Sequence, residues 1–475
     1  MPAAGGLNLD AASIAELHGA MASGELTADG LTRAYLERVD ALDAQLGSVL
    51  AVHPDALADA EASDARRRAG APPRPLEGVP VLVKDNVAVA GLPTTAGSRA
   101  LLESMPADAP LVGRLRDAGA IILGKTNLSE WANFRDEHST SGWSAVGGQT
   151  RNPHALDRST SGSSSGSAVA VAASLAQVAV GTETDGSIIS PAGVCGIVGG
   201  KPSHGAVPGA GIVPISLHQD TAGPMARHVA DAALLHAVLC GTTPPDLRGA
   251  TLHGARIGVW RPSGLDEATT EVLDAALAAL TVAGVTATDI EIDASKIQDA
   301  EWPALLAEFR HEIDTYLATA PDAAARSLVE LIAFNKADPS ELAYFAQSLF
   351  EQALADAPGL DDPAYREQRV TATREARAGL DRALAGVDAV LTVSNDPAWP
   401  IDYAAGDKYH VETTTPAAVA GYPSLSVPAG FAGVLPIGVS LIGRAGGDAD
   451  LWRLAYAFEQ SVPARRAPTY PAGAG

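Results

Sequence analysis

Apolar residues recur at helical spacing in two blocks near the start of the chain, Ala11 to Ala22 and Thr27 to Leu42, and polar residues able to cap a helix, Asp10 and Thr27, stand at their beginnings. The spacing predicts two leading amphipathic helices with Asp10 and Thr27 as N-caps. The period then changes. Short apolar runs at 80–84, 120–123, 177–181 and 257–260 read as buried strands, separated by helix-like blocks such as 109–118. Such alternation predicts an α/β fold with a sheet covered by helices on both faces. Helical periodicity fills 296–386, and strand patterning returns at 388–393, 424–427 and 436–442. This predicts one domain over residues 1–475 with a helical cap inserted at 296–386. The Thr-, Pro- and Gly-rich stretch 241–254 reads as a loop inside that domain, because strand patterning resumes directly after it. Residues 463–475, mostly Pro, Ala, Gly and Arg, read as a poorly ordered tail.

Of the 475 residues, 47% are hydrophobic, enough apolar material for a large core. A net charge of -23 argues against polyanionic partners, so neither nucleic acid nor an anionic membrane surface is expected. The basic run Arg66 to Arg68 ends a helix-like block, where cations complement the helix dipole. Cys195 and Cys240 are the only cysteines, with no C-x-x-C spacing and no His-rich tract. Neither a disulfide framework nor a metal site is suggested, and a reducing compartment fits. No basic and apolar leader opens the chain and no apolar run reaches spanning length, so the expected location is cytoplasmic.

Two familiar motifs match and fail on context. Gly119 to Thr126 satisfies the phosphate-loop pattern, but its four inner positions are Ala-Ile-Ile-Leu, strand material that leaves no loop to wrap a phosphate. Gly162-Ser-Ser-Ser-Gly166 fits the nucleophile elbow, yet polar turn residues 157–161 precede it where a buried strand is required. More informative is the clustering of Gly and Ser across 159–202. Glycines let backbone N–H groups approach a reacting atom and serines supply hydroxyls, the ingredients of a nucleophile with its own anion hole. Lys84 stands at the end of an apolar strand, where burial would lower its pKa and let it accept a serine proton. From spacing alone the plain alternative is a strand-end lysine paired with Asp85.

These residues resemble the amidase signature family. The resemblance rests on Gly-Val-Pro-Val-Leu-Val-Lys84-Asp85-Asn86, on Gly-Ser163-Ser164-Ser-Gly-Ser, on Gly-Thr-Glu-Thr-Asp-Gly-Ser187-Ile, and on Gly-Lys-Thr-Asn-Leu-Ser-Glu-Trp131. Asp220 to Arg227 and Ala-Gly-Tyr-Pro-Ser-Leu-Ser-Val-Pro-Ala-Gly430 extend it along nearly the whole chain. It implies a large mixed, twisted sheet covered by helices on both faces and a Ser-cisSer-Lys triad. Ser187 lies 24 positions after Ser163, the family's interval between nucleophile and cis serine. The carry-over makes Ser187 the nucleophile, Ser163 the bridge and Lys84 the base. It also implies a cis peptide before Ser163 that Gly162, lacking a Cβ, should ease, and an oxyanion hole of the Thr184, Asp185, Gly186 and Ser187 amides. No metal or cofactor is implied.

Ser129 to Arg135, Ser141-Gly-Trp143-Ser, Gly147 to Pro153 and, more weakly, Ser327 to Asn335 make the chain look most like the bacterial peptide amidases, which deamidate C-terminal peptide amides. Ile189-Ser190 and Gly199-Gly200 depart from the residues usual there. Small aryl or alkyl amides, or work as the amidase subunit of a tRNA-dependent amidotransferase, are the alternatives, and oligomeric state is open. Trp131, Asn133, Trp143 and Phe334 are candidates for the substrate pocket, with Phe345 beside them, although buried aromatics commonly serve as core. Ser164, Ser165 and Ser167 are expected to satisfy the polar loop or cap the following helix. His138, His154, His204 and His218 could support a rival histidine mechanism, and Cys195 reads as a small buried residue.

Overall fold

The computed structural model describes residues 6–474. Helices α1 (Ile14–Ser23), α2 (Ala28–Leu46) and α3 (Ala56–Arg68) surround strand β1 (Val49–Val52) and lead to β2 (Pro80–Lys84), α4 (Pro110–Asp117) and β3 (Ile121–Thr126). A small hairpin follows, β4 (Trp143–Ser144) and β5 (Gly148–Gln149). Next come α5 (Ser165–Ala172), β6 (Val178–Glu183), α6 (Ile189–Cys195), β7 (Val198–Lys201), β8 (Thr221–Ala226) and α7 (Val229–Cys240). Beyond them lie β9 (Arg256–Trp260), α8 (Glu267–Val282) and β10 (Thr286–Ile290). Four helices occupy the stretch before the next strand: α9 (Ser295–Thr319), α10 (Leu328–Ala337), α11 (Ser348–Ala355) and α12 (Pro363–Ala383). The chain closes with β11 (Ala389–Val393), α13 (Thr415–Ala420), β12 (Ser424–Ala432), β13 (Leu435–Ile442) and α14 (Asp448–Ser461).

Eleven strands form one mixed sheet in the order β1-β3-β2-β6-β8-β7-β12-β13-β11-β9-β10. The β2–β3, β2–β6, β9–β10 and β9–β11 pairs are parallel and the rest antiparallel. Alternation along each strand sends side chains to two separate cores. On β2, Val81 and Val83 join the core beneath α4, α7, α8 and α14, while Leu82 joins that beneath α1, α2, α5 and α6. A third core, holding Phe309, Leu331 and Phe350, lies within the four helices between β10 and β11. A Lys at the end of β2 is therefore enclosed from both sides.

Several local expectations change. Ser13, not Asp10, caps α1: its hydroxyl accepts from the Glu16 amide while Glu16 reaches back to the Ser13 amide. Asp10 instead pairs with Arg38 at 2.5 Å. Thr27 caps α2 as the spacing predicts. Strand β8 sits in mid-sheet although it carries Gly223 and Pro224, residues that argue against a central strand. Residues 463–474 form no helix or strand and make contacts with the body of the fold. The Leu156 amide donates to Pro471 O at 2.9 Å, Tyr470 N to Pro153 O at 3.2 Å, and the Arg466 guanidinium lies 4.5 Å from the Phe431 ring.

Candidate active site

Lys84 is fully enclosed. Its Nζ lies 2.8 Å from Ser163 Oγ, 3.1 Å from Ser164 Oγ, 2.9 Å from Thr182 Oγ1 and 3.2 Å from Thr182 O. A neutral amine at this point would donate to two of these oxygens and accept one hydroxyl proton. Ser164 Oγ is committed, donating to Thr182 O and accepting from Thr182 N. Ser163 Oγ has Lys84 as its one hydrogen-bond partner among the described residues, so its proton is free to be shared. Burial pushes the Lys84 amine down from its ordinary 10.5 to about 7, with the Glu183 and Asp220 carboxylates pulling the other way. Asp85 is not its partner: that carboxylate pairs with buried Lys125 at 2.7 Å.

The peptide bond between Gly162 and Ser163 is cis. A Cβ on Gly162 would collide with Ser129 Oγ, so the close approach of these two loops requires glycine. Ser165 and Ser167 hydroxyls donate to Ser161 O and Val180 O, satisfying loop and strand rather than capping α5. Ser164 precedes α5 without a side-chain cap and contacts Lys84 instead, a role that no local spacing announces.

Ser187 follows the end of β6 in a turn held at both ends. Glu183 accepts the amides of Ile188 and Ile189 at 2.8 and 3.0 Å, and the Ser164 amide donates to Ser187 O at 3.1 Å. Gly186 has φ +76°, the left-handed region that favours glycine. Among the described residues the amides of Thr184, Asp185, Gly186 and Ser187 make no hydrogen bond, and all four residues line one cavity of about 490 Å³. Unmet amides beside a serine are what an oxyanion would use. Ser187 Oγ likewise has no protein partner among the described residues.

Asn133 lines this cavity, its amide donating to Ser141 Oγ at 2.9 Å. Trp131, Trp143 and Phe334 do not. Trp131 meets the Phe350 ring edge-on, Trp143 lies against Phe345 with the Arg135 guanidinium over its face, and Phe334 packs on the core of the four helices between β10 and β11. The rings of these aromatics pack on other side chains away from the cavity, although the buried Trp131 Nε1 has no hydrogen-bond partner among the described residues. The wall is built instead by Phe134, Trp302, Leu305, Trp399 and Tyr409, with the carboxylates of Asp185, Glu301, Asp407 and Glu412. Most come from α9 and residues 394–415, far along the chain from Ser187, and no local motif marks them. His154 and His204 turn to the Cys195 and Leu217 carbonyls, and burial pushes both imidazoles down, His154 to about 4. Cys195 is buried, its thiol pushed up by that burial.

Residues 30–452 match the family model described as Amidase. The fold is similar to that of the native peptide amidase from Stenotrophomonas maltophilia, with a TM-score of 0.92 and 45% identity, covering 96% of this chain and 98% of that one. A probable amidase of Arabidopsis thaliana is 36% identical, covering 98% of this chain and 92% of the relative. A glutamyl-tRNA(Gln) amidotransferase subunit of Symbiobacterium thermophilum is 34% identical, covering 94% of this chain and 96% of the relative.

Proposed function

Because the chain belongs to the amidase signature family, hydrolases of amide C–N bonds, we propose that it cleaves the C-terminal carboxamide of short peptides through an acyl-enzyme on Ser187. The observation that carries this reading is a buried lysine amine, lowered to about 7, at 2.8 Å from a serine hydroxyl. Neutral Lys84 takes the Ser163 proton as Ser163 takes that of Ser187. The Ser163–Ser187 contact this relay needs closes when substrate binds, as catalytic hydrogen bonds commonly do. Ser187 Oγ adds to the carboxamide carbon, and the oxyanion is met by the open amides of 184–187. The proton held by Lys84 returns through Ser163 to the leaving nitrogen, ammonia departs, and water repeats the path to release the acid.

Similarity to a peptide amidase over nearly the full chain and a cavity sized for a dipeptide support the peptide-amide reading. We place the work in the cytoplasm, where the unpaired Cys195 and Cys240 would persist as thiols. Among the described residues no helix is long and apolar enough to cross a membrane. Purified full-length chain offered an amidated dipeptide should release ammonia without ATP, tRNA or a second protein. Turnover of simple aryl or alkyl amides alone would move the substrate class. Ammonia release only with a protein partner and tRNA would favour the work of an amidotransferase component, as in the Symbiobacterium relative.

A further inference from the structure

The cavity wall is one-sided in charge. Asp185, Glu301, Asp407 and Glu412 line it, and no lysine, arginine or histidine among the described residues does. The protein partners of these carboxylates are neutral. Gln219 donates its amide to Glu301 at 2.7 Å, the Thr415 hydroxyl to Asp185 at 2.6 Å, the Trp399 indole to Asp407 at 3.0 Å, and the Gln298 amide to Glu412 at 2.9 Å. Arg369, the basic group whose charge reaches Glu301, sits behind Gln219 and is taken by Glu308, at 2.7 and 2.6 Å, and Lys201, which feels the Asp185 charge, donates to the Pro202 and Tyr422 carbonyls. A buried carboxylate is ordinarily paired with a cation, and Glu301, the most buried of the four, is not.

A second observation is independent of the charges. The wall has three buried side-chain oxygens without a hydrogen-bond partner, Asp185 Oδ1, Asn133 Oδ1 and Asn395 Oδ1. Asn395 is only 3% exposed, and its amide nitrogen is fixed on Ser190 O at 3.0 Å, which identifies the open atom as the acceptor. Each of these three oxygens calls for a donor. Glu301 is itself 5% exposed, and its second oxygen makes no hydrogen bond among the described residues. Burial and the charges of Asp185 and Glu412 hold its carboxyl well above the ordinary range, and burial lifts Asp185 to about 7. A cation among them would relieve both.

Resting on the assignment of Ser187 as the attacking group, we infer that Glu301, Asp185 and Glu412 form a subsite for a protonated amine on the acyl portion of the substrate. Glu301 and Gln298, one turn apart on α9, place part of this subsite on the helices between β10 and β11. The amine is either the free N-terminal ammonium of a short peptide amide or a side-chain ammonium, and the shared chemistry is a primary ammonium delivered to the wall while the carboxamide reaches Ser187.

The test measures binding, so that it does not depend on turnover. Full-length Ser187→Ala protein is titrated calorimetrically with alanyl-phenylalanine amide, its N-acetyl form, and N-acetyl-lysyl-phenylalanine amide. At least one ammonium-bearing ligand should bind about tenfold or more tighter than the neutral acetyl-alanyl compound, and which one does so identifies the amine's position. That advantage should fall at least about fivefold when Glu301→Gln is added, and also with Glu412→Gln, whose exposed position spares the fold. Equal binding of all three ligands, no binding of any, or an advantage that survives both substitutions overturns the subsite. Ammonia release by the wild-type protein from the neutral ligand reports on the amidase reading separately and is compatible with either outcome.

Discussion

The Ser164 amide donates to the Ser187 carbonyl at 3.1 Å, a backbone hydrogen bond that brings the two ends of the Gly/Ser stretch together around Lys84. Glu183 completes the clamp by holding the next two amides after Ser187.

Removing that clamp should hurt turnover more than binding. Glu183→Ala is expected to lower kcat by about 10- to 100-fold with a smaller change in KM, because displacing the proposed nucleophile and oxyanion hole weakens transition-state stabilisation. Glu183→Gln, which keeps an acceptor, should recover much of the loss. It should also show a signature that a purely structural role would not. The Glu183 charge raises the Lys84 pKa, so neutralising it lowers that pKa and moves the acid limb of the pH–rate profile to lower pH.

With Lys84 as the proposed base the reactive form is the neutral amine, so kcat/KM should rise with pH through about 7 and then level off. Lys84→Ala should cost roughly 10²- to 10⁴-fold. Stability carries a matching signal. The lysine pKa is depressed in the folded protein and ordinary when unfolded, so between about 7 and 10.5 the unfolded chain binds the extra proton. Across that window stability must rise with pH. The melting temperature of the wild type should gain on that of Lys84→Met from pH 7 to pH 10, and a constant difference would contradict a buried neutral amine.

Arg135 anchors the loop beneath the site to the segment between α10 and α11. It is completely buried, meets Glu130 at 2.5 Å and the Glu341 carbonyl at 2.6 Å, and lies 4.2 Å from the Phe345 ring. Arg135→Ala strands buried Glu130 and should destabilise by about 3–5 kcal/mol, read by denaturant unfolding. Arg135→Lys should not restore it, since a point charge cannot make the stacked and forked contacts together.

Gly186→Ala tests the turn itself. At φ +76° a Cβ is strained, and here it would also lie 3.0 Å from Thr414 Oγ1. Misaimed amides should lower kcat by about 10²-fold or more while unfolding shifts by only about 1–2 kcal/mol.

Much of this is legible in the sequence because it is local. The strands read at 80–84 and 177–181, the second observed at Val178–Glu183, declare themselves by apolar runs, and Lys84, Ser163 and Ser187 by spaced motifs. What escapes depends on direction or on distance along the chain. Trp131 and Trp143 sit among signature residues, yet nothing in a sequence tells that their rings face the interior while Asn133 faces the cavity. Glu301 and Glu412 reach Ser187 only through the folding of α9 and the loop before α13 over the site. Strand β8 hides behind Gly223-Pro224, and Ser13 displaces Asp10 as a cap because Glu16 can return its hydrogen bond.

The decisive experiment for Ser187 is rapid acid quench of the wild-type protein with a slowly deacylated amide or ester substrate, followed by trypsin and peptide fragmentation. Because Pro202 blocks cleavage after Lys201, the tryptic segment is 159–227, which contains both Ser163 and Ser187. The acyl mass should fall on Ser187 and disappear in both Ser187→Ala and Lys84→Ala. Acyl mass on Ser163 or on any other residue, or full turnover by Ser187→Ala, would contradict the assignment.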